Sequence, residues 1–351
     1  PTTYTIETSD VTLAPATRTG YTFDGWYDAE TGGKLVESIP KDSTGDMVLY
    51  ARWTANTNTV YKVEHYQQDV SGEGYTLSGT DDLSGSTEAI ATASAKEYAG
   101  FTENMAHADR VASGTIAPDG SLVLRLYYDS DTFDVTYDSN GGSPVAASAG
   151  VRYGSTISAP GVPSKTGYTF GGWFKEAGLT NAWSFEIDVV TSATTLHAKW
   201  TVNSYTITFD SNGGSEVESI TQDYGTAVTA PTAPTKTGYT FSGWSPAIPE
   251  TMPAENMTLT AQWTVVEYSI TYDLDDGTND AANPTTYTIE TSDVTLAPAT
   301  RIGYTFVGWY DAEIGGNLVE SIPKGSAGDM ALYARWTANS YTVTLDAQEG
   351  A

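Results

Sequence analysis

GYTFDGW at Gly20–Trp26 returns as GYTFGGW at Gly167–Trp173, GYTFSGW at Gly238–Trp244 and GYTFVGW at Gly303–Trp309. Each copy is followed by a closing phrase: ARWT from Ala51, AKWT from Ala198, AQWT from Ala261 and ARWT from Ala334. The two tryptophans of a copy are 27 residues apart in three copies and 19 in the third. Self-similarity at such a period marks one small supersecondary unit that has been copied, so function belongs to the array before it belongs to any one pocket.

Around this phrase the patterning is that of strands. Phe133, Val135 and Tyr137 alternate with Asp134, Thr136 and Asp138, and the alternation recurs from Tyr205 and from Tyr268. Period two with Tyr, Thr, Val and Ile predicts a half-buried strand. Two copies run on into Ser-Asn-Gly-Gly, at Ser139 and Ser211, where Asn-Gly supplies the positive φ of a tight turn. A second strand is expected before Tyr153-Gly154 and Tyr224-Gly225. A proline-punctuated leg follows, APGVPSKTGYTF from Ala159 and APTAPTKTGYTF from Ala230, and it predicts extended, irregular chain. GYTFxGW itself predicts a third strand with Tyr and Phe on one face, and its Gly before Trp predicts a bulge or a close backbone approach. The closing Leu-x-Ala-x-Trp predicts the last strand, with no helix expected in the variable segment before it.

The first two copies are 147 residues apart, about twice the period, and the surplus is a different module. It opens with VYKVEHYQQ at Val60 and closes with DGSLVLRLYYD at Asp119, both alternating as strands do. Its middle, from Ser84, fits either a short helix or a third strand. The resulting organisation is a truncated repeat over 1–55, the insert over 56–132, repeats over 133–202, 203–265 (short) and 266–338, and the opening strand of a further repeat over 339–351. Residues 1–56 align without gaps on 284–339, yet the later copy is preceded by YSITYDLDDG at Tyr268, which the first lacks. The expectation is a section of something longer.

Composition narrows the function. The 44 acidic against 16 basic residues give a net charge of −28, a poor match for nucleic acid or anionic membrane. No run of 18 or more apolar residues predicts a membrane span. Absence of cysteine removes disulfides, thiolate metal sites and cysteine nucleophiles together. No cofactor is implied. Modules this small need a dense core, and aromatics supply it: eight of the nine Trp lie in the two repeated phrases. Trp26, Trp53, Trp173, Trp200, Trp244, Trp263, Trp309 and Trp336 are therefore assigned to repeat cores.

The order of strand, SNGG turn, Tyr-Gly, proline leg, GYTFxGW and AKW closure resembles the Listeria–Bacteroides repeat, also called the internalin B-type B repeat. The insert, through YKVEHYQQ and LVLRLYYD, is similar to mucin-binding-protein-like repeats of bacterial surface proteins. The resemblance implies a mainly β, β-grasp-like fold for each module, an elongated tandem array, and a wall-attached or secreted bacterial adhesin as the parent. The third repeat departs from the pattern by its short span from Trp244 to Trp263, with Pro246, Pro249 and Pro253 between, which leaves its peripheral elements open.

Candidate chemistry is sparse. His65, His107 and His197 lie in different modules or far apart, and acid–base work needs partners within hydrogen-bond reach, so no enzyme is expected. Asp273-Leu274-Asp275-Asp276-Gly277 resembles the start of a calcium loop, but the Asp-x-Asp-x-Asp-Gly spacing is not met and Pro284 stands where a bidentate Glu belongs. LAPAT at Leu13 and Leu296 has the wrong order for a sortase signal and belongs to the proline leg. Trp183, without a counterpart in the other copies, is the one candidate ligand contact. The sequence thus predicts a non-catalytic stalk of an extracellular, cell-surface adhesin. The alternative is a binding module in which residues 56–132 recognise mucin glycans or a host protein. Candidate partners are a host glycan, a host surface protein, or neighbouring chains of the same kind.

Overall fold

The computed structural model describes residues 3–345, and every regular helix or strand element among them is a strand. The described residues divide into two compact units, the second made of residues 165–169 with everything from residue 200 onward, the first of the remainder.

Four four-stranded sheets follow one plan. In the repeat from residue 203 the order is Ile220–Asp223, Ser204–Asp210, Met257–Val265, Tyr239–Ser245. The first and last strands in sequence run parallel at the centre, Ile207 opposite Met257 and Phe209 opposite Leu259, and each is flanked by an antiparallel neighbour. The repeat from residue 266 has the same order, with Ile270 opposite Met330. So does the sheet of Ser148–Arg152, Thr132–Asp138, Thr194–Val202 and Tyr168–Phe174. The insert shares the plan although its sequence does not share the phrase: Tyr75–Gly85, Thr59–Gln68, Val123–Ser130 and Phe101–Glu103 stand in the equivalent order with Val63 parallel to Leu124. Its ambiguous middle is a strand, Ile90–Thr92, paired with Ser113–Thr115. In the first repeat only Tyr21–Tyr27 and Tyr50–Ala55 pair in this sheet.

The repeated phrase is explained by a bulge. In a regular strand, residues three apart face opposite sides, so Phe and Trp of Phe-x-Gly-Trp would be separated. The register instead places Phe306 opposite Trp336, Gly308 opposite Arg335 and Trp309 opposite Ala334, leaving Val307 as the extra residue. The same shift occurs at Phe23 to Gly25 and at Phe241 to Gly243. One inserted residue returns Trp to the face of Phe. Phe306 then meets Trp309 and Trp336 edge to face, with centroids 5.4 and 5.3 Å apart. The bulge glycines have φ of +139° at Gly25, +134° at Gly243 and +155° at Gly308, a region that strains any residue with a Cβ.

Cores are small and dense. In the last repeat Ile270, Tyr287, Trp309, Ile322 and Leu332 cluster, with Leu332 fully buried. The indole N–H of Trp309 donates to Ala297 O at 2.9 Å, so the ring is buried without an orphan donor. The short third repeat keeps all four strands: Met252, fully buried, donates to Thr226 O and accepts from Gly225 N, both at 2.9 Å. Val190 makes the equivalent pair with Ser155 O and Gly154 N. A short loop thus inserts one apolar side chain where the longer loop does.

The strand expected over 339–351 lies only partly within the described residues. Residues 339–345 have no strand assignment, and residues 346–351 lie outside the described residues. Tyr341, Val343 and Leu345 are 77, 81 and 88 % exposed.

Replacing the buried ring in Trp309→Ala is predicted to cost about 3–5 kcal/mol, read as lost amide exchange protection in Met330–Ala338. Val307→Ser, at the unpaired bulge position, should change stability by less than about 0.5 kcal/mol. Equal effects of the two would contradict the bulge account.

Candidate functional site

Sheet geometry separates the insert into a core face and an outer face. Val63, His65, Leu124, Leu126 and Tyr128 point inward and are nearly fully buried. The outward alternates carry aromatic and ionic groups. Tyr127 is stacked by His107 at 3.8 Å on centroids and by Tyr66 at 5.0 Å, and Tyr75 meets Tyr127 edge on at 5.3 Å. The Tyr75 hydroxyl donates to Asp129, which also accepts from Asn104 Nδ2 at 3.0 Å. The Tyr66 hydroxyl donates to Glu64 Oε2 at 2.8 Å, and Arg125 Nε reaches the same oxygen at 3.1 Å. Burial and then the Asp129 carboxylate push the Tyr75 phenol above its ordinary value. The Glu64 carboxylate does the same for Tyr66. Both hydroxyls therefore stay protonated as donors. Tyr66, Tyr75 and His107 are half-buried, so ring edges and carboxylate oxygens share one surface, while Tyr127 is covered. Such a surface can stack a sugar ring or a planar side chain and bond its hydroxyls.

Trp309, Trp336 and Trp244 belong to or pack against module cores, and Trp53 and Trp263 lie edge to face with Phe23 and Phe241. Trp173 and Trp309 are 4 and 2 % exposed, and Trp26, Trp53, Trp200, Trp244, Trp263 and Trp336 are half-buried. Trp263 and Trp336 donate to Ser211 O and Leu274 O, each at 3.1 Å. Trp183 is also half-buried, with the Lys175 ammonium 5.7 Å from its ring centre. Its indole N–H is buried without a hydrogen-bond partner among the described residues, an arrangement that costs about 1–3 kcal/mol until an acceptor is supplied.

The acidic turn at Asp273 is held by protein groups. Asp275 and Asp276 adopt φ of +44° and +68°, and Arg301 bonds Asp275 at 2.5 Å. No group of three or more ligating side chains converges among the described residues.

Of the three histidines, His65 has an arrangement that the sequence did not disclose. Its Nδ1 lies 2.9 Å from the Tyr128 hydroxyl and its Nε2 lies 3.2 Å from Asp81 Oδ2. Lys96 closes the network, with Nζ on Asp81 Oδ1 at 2.5 Å and its backbone N–H on the Tyr128 hydroxyl at 2.9 Å. Partners lie 16 and 63 residues away, Asp81 brought in by the antiparallel neighbour strand and Tyr128 by the parallel one, so no local motif signals them. The set resembles an acid–base triad, but His65 and Tyr128 are 0 and 1 % exposed. It acts as a polar strut within the core. His197 pairs with Asp138 Oδ2 at 3.1 Å on a sheet surface, and His107 belongs to the aromatic face.

The Lys96 ammonium, and then His65, hold the Asp81 carboxyl below its usual value of 3.8. A depressed carboxyl stabilises the fold fully above that value and loses the contribution as pH falls through the lowered one. The Asp81 contribution to stability should therefore be fully present above about pH 4 and be lost as pH falls below it. Asp81→Asn should lower stability at neutral pH and reduce the acid-side fall, which pH-dependent thermal melts would record.

A family model described as the Listeria-Bacteroides repeat domain matches residues 1–52, 133–199, 205–262 and 268–335, more than half of the chain. The insert lies outside these segments. A Gly-rich membrane protein, so named, of Evansella cellulosilytica is 30% identical over 352 residues, 95% of this chain and 40% of that protein. A second membrane protein by name from the same organism is 32% identical over 65% of this chain and 35% of its own length. Internalin H of Listeria monocytogenes is 38% identical over 38% of this chain and 25% of its own. The chain thus spans less than half the length of each of these relatives. Among solved structures, the Bacillus anthracis TIE protein aligns over 90% of this chain and 68% of its own at 10% identity with a TM-score of 0.20, too low to carry an argument. No helix among the described residues is long and apolar enough to cross a membrane. With its phrase, its bulge and its sheet plan found in the segments that the model matches, the chain belongs to the Listeria-Bacteroides repeat family.

Proposed function

We propose that this chain is a non-catalytic spacer in a bacterial surface protein, carrying a binding head away from the cell. The observation that carries the reading is that one sheet plan recurs in tandem while the recurring aromatic rings line module cores. A repeated module with its aromatics turned inward adds length and no new site. The likeness to internalin H over 38% of this chain, together with the match to the Listeria-Bacteroides repeat, supports placing the chain in an extracellular surface protein. The net charge of −28 keeps neighbouring chains soluble and apart. No nucleic acid, inserted membrane or cofactor enters this reading.

A second reading has one specific observation in its favour. The outer face of the insert sets Tyr66, Tyr75 and His107 beside Asp129, Asn104 and Glu64, and a mucin glycan or host protein is the occupant that its sequence resemblance implies. Under this reading the family repeats space the insert.

Two measurements separate these readings. With one to four repeats placed between a fixed anchor and a fluorescent tag, the spacer reading predicts that tag height rises by an equal step per repeat. A height independent of repeat number would refute it. On an array of mucin glycans and host matrix proteins, the insert reading predicts binding that is lost with deletion of residues 56–132 and weakened by Tyr75→Ala. Absence of binding by the parent chain leaves the spacer reading alone.

A further inference from the structure

The glycine that opens each repeated phrase has a role that the strand does not require. Arg18-Thr19-Gly20-Tyr21, Lys236-Thr237-Gly238-Tyr239 and Arg301-Ile302-Gly303-Tyr304 are turns closed from the fourth N–H to the first carbonyl at 3.1 to 3.2 Å. The insert has the same turn at Tyr98-Ala99-Gly100-Phe101, at 3.1 Å. Glycine φ lies at +77°, +78°, +81° and +76° respectively, the third position of a type II turn. In each case the glycine carbonyl, at the start of a strand, accepts a hydrogen bond at 2.9 Å from the residue that leads to the next module: Asn56 for Gly20, Asp131 for Gly100, Val266 for Gly238 and Asn339 for Gly303.

Two of these leading residues, Asn56 and Asp131, are held from both sides. Thr22 Oγ1 donates to the Asn56 side chain at 2.7 Å, and Thr102 Oγ1 to that of Asp131 at 2.8 Å. Their own carbonyls then accept from the following module, from Thr87 N and Tyr153 N, both at 2.8 Å. The bare Cα of the glycine is a seat for a residue of that following module. A Cβ on Gly20 would lie 2.8 Å from Pro118 Cα, and one on Gly238 would lie 2.7 Å from Ile289 Cβ. On Gly100 it would overlap the Tyr153 ring, and on Gly167, within the second unit, the Tyr224 ring. Gly303 has the same turn and the same leading-residue bond but nothing within 4 Å among the described residues.

We propose that the turn glycine and the leading residue form a joint that docks each module on the next, with the glycine surface receiving an apolar side chain of the following module. The proposal rests on the spacer reading and adds to it a mechanism: bending is limited by a socket and not by linker shortness alone. It also accounts for Tyr153 and Tyr224, the tyrosines of the Tyr-Gly pairs, whose rings lie on Gly100 and Gly167 while their N–H groups bond the carbonyls of Asp131 and of Asn203, whose own N–H bonds the Gly167 carbonyl. The insert, outside the matched family segments, uses the same joint on both sides through Thr87 and Gly100. The insert and the repeats thus share one coupling.

The absence of cysteine allows Glu218→Cys and Glu313→Cys, both exposed, to carry the two spin labels of the full chain across the Gly238 joint. The parent should give a narrow distance distribution. Gly238→Ala should shift and broaden it, and so should Ile289→Ala, which empties the socket without adding strain. Gly303→Ala has the same backbone conformation without a seated residue and should leave the distribution unchanged. An unchanged distribution in both Gly238→Ala and Ile289→Ala overturns the joint, as does equal broadening by Gly303→Ala, which would trace the effect to strain alone. If Gly238→Ala does not fold, Ile289→Ala decides. A chain whose reach failed to grow with repeat number would sink the spacer reading without altering this label measurement, so the two failures are distinct.

Discussion

Everything in the repeat depends on one extra residue in one strand. Without the bulge before Trp, Phe306 and Trp309 would face opposite sides of the sheet, and the last strand would meet only one of them. With it, a Phe ring touches a Trp on its own strand and a Trp on its neighbour, and three rings close the core. The bulge needs a glycine at a φ that other residues avoid, which is why Gly-Trp is fixed while the residue before it varies among Asp24, Gly171, Ser242 and Val307.

The sheet plan tolerates large changes around that constraint. The third repeat loses eight residues between its tryptophans and still buries Met252 where the longer loop buries Val190. The insert has neither phrase, yet reaches the same parallel central pair and replaces the aromatic trio by Val63, Leu124, Leu126 and the His65–Tyr128 strut. A small module needs a dense pair of central strands, and different sequences supply it in different ways. What varies is the outer face, where Arg52 and Arg335 lie over Tyr27 and Tyr310 in two repeats and stacked rings stand beside carboxylates in the insert.

Much of this was legible in the sequence. Alternation gave the strands, Asn-Gly gave the turns, where Asn140 and Asn212 adopt φ of +47° and +50°, and the glycine before Trp gave the bulge. What sequence reasoning missed was long-range. His65 finds Asp81 and Tyr128 through pairings across the sheet, and nothing near His65 in the chain announces them. The aromatic face of the insert needs alternate residues from three strands and a loop to meet. The alternating segment at Tyr341 has the composition of a strand, and its described part, residues 339–345, carries no strand assignment. The opening glycine of the phrase was legible as a repeat marker, while its second role as a seat emerged only when the neighbouring module was placed on it.

Small-angle scattering of the whole chain tests the central claim, that tandem modules act as a spacer, most directly. A compact particle of this length would have a radius of gyration of roughly 20 Å. The account predicts a value well above that, with a distance distribution extended to long separations. A value near the compact one would contradict it.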